Sequence, residues 1–125
     1  MSLGLIAANA AIRIGYGAAV LAAPSKPLFG KVPLAPDTDE FPEARLFVRG
    51  FAAHQIGVAL VGLASLPRPD LRRPGMLLAA ATDAADIASA LVEVKARGRL
   101  EPDLRDGIAF SSAGLLSALA ALRST

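Results

Sequence analysis

Four long apolar runs, separated by polar segments rich in proline and arginine, organise this chain. The first, LGLIAANAAIRIGYGAAVLAA (3–23), has one charge, Arg13, at its centre. The second, LFVRGFAAHQIGVALVGLASL (46–66), includes Arg49 and His54. The third, GMLLAAATDAADIASALVEV (75–94), contains Asp83, Asp86 and Glu93. The fourth, GIAFSSAGLLSALAAL (107–122), is uncharged and reaches span length only by taking in Asp106 and Arg123. A helix needs about 20 residues to cross the hydrocarbon of a bilayer. The pattern predicts an all-α single domain over 1–125: a four-helix transmembrane bundle of up-down topology, with spans near 3–23, 46–66, 75–95 and 106–123.

The segments between the runs read as connections. Residues 24–43, PSKPLFGKVPLAPDTDEFPE, hold five of the nine prolines, a density that no regular element survives for long. In PRPDLRRPG (67–75), Pro67 stops the second helix and the third restarts near Pro74. In ARGRLEPD (96–103), Gly98 suits a helix C-terminus and Pro102 the first turn of the last helix. The first run has no basic leader, and Arg13 interrupts it where a cleavable signal would be apolar, so a signal peptide is not expected.

Composition sharpens the choice between a lipid and an aqueous surrounding. The chain is 54% hydrophobic, 19% charged and 5% aromatic, with a mean hydropathy of +0.49. A soluble bundle, the second alternative, needs a charged face on every helix. The first run offers one charge and the fourth none, and a chain this small cannot bury two helices that are apolar all round. A multi-pass protein of the cell membrane, with the lipid bilayer as its first partner, is therefore expected. Lys and Arg total 13 against 11 Asp and Glu, a net charge of +2, with no basic run to suggest nucleic acid. Cysteine is absent, which removes disulfides and thiolate chemistry. In an up-down arrangement the 24–45 and 95–105 segments share seven Lys and Arg against four on the other side, which places both termini outside.

Small residues recur at helical spacing. Gly107, Ser111, Gly114, Ala118 and Ala121 form one stripe, Gly50, Ala53, Gly57 and Ala64 a second, and Gly4, Ala8, Ala11 and Gly15 a third. Such stripes let helix backbones approach closely in lipid, so all three are expected to be packing faces of the bundle. Other membrane proteins or a second copy of the chain are the further partners expected.

The charges within the runs carry the candidate chemistry. Arg13, His54, Asp83 and Asp86 sit near the centres of their spans. Arg49 lies about 10 Å from the midplane at 1.5 Å per residue, within side-chain reach of Asp86. Asp83 and Asp86 share a helix face with Ala79, Ala90, Glu93 and Arg97. Each unpaired charge at this depth costs roughly 2.5–3.5 kcal/mol on insertion scales, so the five residues are expected to form one network. One reading makes that network structural, fixing helix register in a scaffold or partner-binding bundle. The alternative is a small transporter or a ligand- or proton-binding protein using Asp83, Asp86 and His54. No metal, cofactor or catalytic residue is expected: a phosphate loop, a nucleophile elbow and an HExxH motif are all missing. The three serines of the fourth run, with a single histidine in the chain, make a poor case for nucleophilic catalysis.

The stretches 44–65 and 81–91, with Arg45 and Arg49, Gly57, and the Asp83/Asp86 pair, resemble small four-helix integral membrane proteins of actinobacteria grouped as a domain of unknown function. The resemblance covers about half the chain. It implies a membrane protein and supplies no activity, and the proline-rich first loop has no place in its pattern.

Overall fold

The computed structural model describes residues 1–22 and 44–124, which form four helices and no strand. They are α1 (Leu3–Ala22), α2 (Ala44–Ser65), α3 (Pro69–Arg97) and α4 (Pro102–Arg123). The expected loop at 24–43 lies outside the described residues. The helices form a ring in which α1 packs on α2 and α4, and α3 packs on the same two. The α1–α2 and α3–α4 interfaces are the most extensive.

Local signals explain several helix ends. Ser2 caps α1, its Oγ accepting the Leu5 amide at 3.3 Å. Gly98 ends α3 with φ at 68°, a conformation open to glycine. Pro102 opens α4 at a position that needs no amide hydrogen. Glu101 links the last two helices, accepting from Arg97 Nη1 and pairing with Arg99 Nη2, each at 2.6 Å. The hydrogen bond from Arg97 holds this carboxyl below the usual carboxylate range, with Arg99 acting in the same sense.

The start of α3 departs from the sequence expectation. The helix begins at Pro69 and runs through Pro74. Pro74 gives up only the bond to the Asp70 carbonyl, and both residues are exposed, so the freed carbonyl is not buried. The Arg72 guanidinium secures the tight turn before the helix by donating twice to the Leu66 carbonyl, at 3.1 and 2.6 Å.

Two of the three small-residue stripes also differ from expectation. Ser111, Ala118 and Ala121 of α4 turn inward, but Gly4, Ala8, Ala11 and Gly15 of α1 and Gly50, Ala53, Gly57 and Ala64 of α2 are exposed. The inward face of α2 is instead Ala52, Gln55, Ala59 and Gly62, at steps of three, four and three. That of α1 runs through Ile6, Ala10, Arg13, Gly17 and Val20. An apolar core of Ile6, Val58, Met76, Ala79, Ala118 and Ala121 fills one end of the ring.

At Gly17 the two helices α1 and α2 come closer than a side chain would allow. A Cβ there would stand 2.6 Å from Ile56 Cγ1 and 2.8 Å from the Ala52 carbonyl oxygen, whereas one on Gly57 would meet nothing within 4 Å. Gly17→Ala is therefore expected to destabilise the fold by about 1–3 kcal/mol through overpacking. Gly57→Ala should be neutral or stabilising, by up to about 1 kcal/mol of helix propensity. Thermal unfolding of the two purified variants checks the difference, and equal effects would contradict this packing.

Candidate functional site

Next to the apolar core lies a layer of polar side chains contributed by all four helices. Arg13 is its centre, 1% exposed. Every face of its guanidinium has a partner. Nε donates to Asn9 Oδ1 one turn back on α1, at 2.9 Å. Nη1 donates to Gln55 Oε1 on α2. Nη2 donates to Asp83 Oδ2 on α3, forming an ion pair, and reaches the Ala79 carbonyl at 3.4 Å.

The remaining bonds extend this arrangement. Asn9 Nδ2 donates to Ser117 Oγ at 2.6 Å and to the Gly114 carbonyl at 3.2 Å, which brings in α4. Gln55 Nε2 donates to Asp86 Oδ2 at 3.0 Å, so Gln55 relays between Arg13 and the second aspartate. Asn9, Gln55 and Asp83 are all almost fully buried. One buried oxygen, Asp83 Oδ1, has no hydrogen-bond partner among the described residues. The carboxylate lies so close to Gly114 that a Cβ there would fall 2.5 Å from Oδ2. Glycine at 114 is what lets α4 close over the ion pair.

The five candidate residues divide into two groups. Arg13 and Asp83 meet directly, and Asp86 joins them through Gln55. Arg49 is exposed, and among the described residues no hydrogen bond or ion pair links it to Asp86; the Gln55 amide occupies the place expected for it. His54 is also exposed and stands outside the hydrogen-bonded cluster, although it is near enough to act electrostatically on both aspartates. The reason is helical phase. One residue is 100° of rotation, and the inward face of α2 passes through Gln55. Asn9, Gln55, Gly114 and Ser117 are the members that charge alone does not reveal, though Asn9, four residues before Arg13, necessarily shares its face.

Above this layer Tyr16 stacks on Phe110, with ring centroids 4.1 Å apart and planes at 22°, and meets Phe51 edge-on at 6.1 Å and 88°. Beyond it a cavity of about 250 Å³ lies between α2, α3 and α4, with Asp86 in its wall. Among the described residues no three His, Cys, Asp or Glu side chains converge as a metal site would require. The polar layer holds a charge pair away from the surface, and it leaves one further carboxylate facing a space.

Removing one member of a buried ion pair strands the other, at a cost of about 3–5 kcal/mol, whereas neutralising both is far milder. Arg13→Gln and Asp83→Asn should each destabilise by that amount, and the double variant should lose clearly less than the sum. A double-mutant cycle on unfolding of the purified protein measures it, and additive losses would contradict the pairing. Gly114→Ala should also destabilise, by about 1–3 kcal/mol, by pushing the Asp83 carboxylate off Arg13. Gly107→Ala on the same helix should not, because a Cβ there meets nothing within 4 Å.

No family model, curated protein or solved structure matches the chain.

Proposed function

We propose that the chain is a multi-pass integral protein of the cell membrane, an up-down four-helix bundle acting as a structural or partner-binding scaffold, with the Arg13 network as its internal key. One observation carries this reading: a charged and polar cluster is buried inside the bundle while large apolar side chains lie on its outside. The largest fully buried side chains include Arg13, Gln55 and Asp83, while Ile12, Leu60, Leu78, Leu91, Val92 and Leu116 are exposed. An apolar exterior of this kind in water marks a surface made for lipid or a partner.

Two helices, α1 and α3, are long and apolar enough to cross a membrane. At 1.5 Å per residue, α2 and α4 with 22 residues each extend about 33 Å, enough for the hydrocarbon layer. The hydrogen bond from the Ser2 amide to Ser124 Oγ, 2.6 Å, supports a topology with both termini at one end. So does the apolar core, which draws on the starts of α1 and α3 and the ends of α2 and α4. In this setting Arg49, near the start of α2, extends to the headgroups. The outward small-residue faces of α1 and α2 are the surfaces this reading gives to a partner helix.

Cell fractionation tests the proposal. The protein should remain in the membrane pellet after a high-salt, alkaline wash and enter solution only with detergent. Recovery from the aqueous fraction without detergent would instead make it a soluble bundle.

A further inference from the structure

The cavity between α2, α3 and α4 is lined by Phe51, Asp86, Ser89, Ala90, Gly107 and Ser111, among others. Three independent features distinguish it from a packing gap. The first is charge. Arg13 is committed to Asp83, and Asp86 receives only the neutral amide of Gln55, on Oδ2. Among the described residues it has no ion-pair partner: Arg13 reaches it only through Gln55, and the exposed His54 acts on it from a distance without a hydrogen bond.

The second feature is Ser111, which is 2% exposed and lines the cavity. Among the described residues its hydroxyl makes no hydrogen bond, so its donor and acceptor are free to meet a ligand in the cavity. The third is aromatic. Phe51 presents a ring to the cavity and is held edge-on by Tyr16, which in turn is stacked on Phe110. A carboxylate, free hydroxyls and a fixed aromatic face are the groups that recognise an organic cation.

We infer that this cavity binds a small primary ammonium ion. Its N–H groups donate to Asp86 and to the hydroxyls of Ser111 and Ser89, and its apolar part lies against Phe51 and Ala90. The volume of about 250 Å³ falls just below the ~300 Å³ at which drug-sized pockets begin, so the ligand is a compact amine. A metal ion does not suit the site, because one carboxylate and two hydroxyls leave most of a coordination shell empty and most of the wall is carbon. The inference does not rest on the membrane reading, since binding is measured on the purified chain.

The test titrates benzylammonium, and separately the neutral benzyl alcohol, into the purified protein in detergent micelles by calorimetry, with empty micelles subtracted. Benzylammonium should bind at one saturable site, at least about tenfold more tightly than the alcohol, as a charge-assisted hydrogen bond implies. Asp86→Asn, which keeps an oxygen for Gln55, should weaken benzylammonium about tenfold or more, and Ser111→Ala about fivefold. Gly107→Leu should abolish binding by filling the cavity without touching Asp86. Should Asp86→Asn lose its cooperative unfolding, Gly107→Leu decides alone, because a side chain there has open space to enter. Equal affinity for amine and alcohol, or wild-type binding by Gly107→Leu, would overturn the assignment.

Discussion

The structure depends on satisfying one buried guanidinium. Arg13 sits in the middle of a helix whose neighbouring residues are almost all apolar, and it cannot shed its charge. A planar fork with five N–H donors in fixed directions needs acceptors at fixed places. Here they come from α1 itself, α2 and α3, with α4 tied in through Asn9. Few other groups could define the positions of four helices at once. A shift of any helix by one residue breaks at least one of these bonds, and a buried polar group left without its partner is costly. In an alanine-rich bundle, where smooth apolar faces could slide past one another, directional bonds supply the register that side-chain shape does not.

Small residues make the network possible and limit where it can form. Gly17 brings α2 against α1 just beyond Arg13, and Gly114 makes room for the Asp83 carboxylate beneath α4. Both glycines lie where backbones or a charged group must come closer than a Cβ allows. Toward one end, Ile6, Met76 and Val58 close the interior with ordinary apolar packing. Toward the other, the aromatic trio gives way to a cavity whose wall includes the aspartate that Arg13 reaches only through Gln55. The interior is thus graded from apolar, through hydrogen-bonded polar, to polar and open.

Much of this was legible in the sequence, for identifiable reasons. An all-α chain with four helices follows from uninterrupted apolar runs of Ala, Leu, Val and Ile. The ends at Gly98 and Pro102 follow from residue types with narrow conformational preferences. Arg13, Asp83 and Asp86 stand out because a charge in an apolar run has few explanations. The harder features depend on phase. The exposed Gly4–Gly15 and Gly50–Ala64 stripes and the buried Ala52–Gly62 stripe are nearly indistinguishable in a chain where alanine occurs on every face. His54 and Gln55 are adjacent in sequence and 100° apart in space, and only the packing of the other helices selects Gln55. The passage of α3 through Pro74 depends on the exposure of the carbonyl that the proline leaves unbonded.

The most direct measurement of the central claim is the hydrogen exchange of the Arg13 Nε–H, followed by NMR on the protein in micelles. The structure predicts a guanidinium sealed from water, with exchange slowed by orders of magnitude relative to the exposed Arg68 and Arg73 and with through-space contacts to the Asn9 side chain. Exchange at the rate of those exposed arginines would show that the network is open, and the account of the bundle built around it would fail.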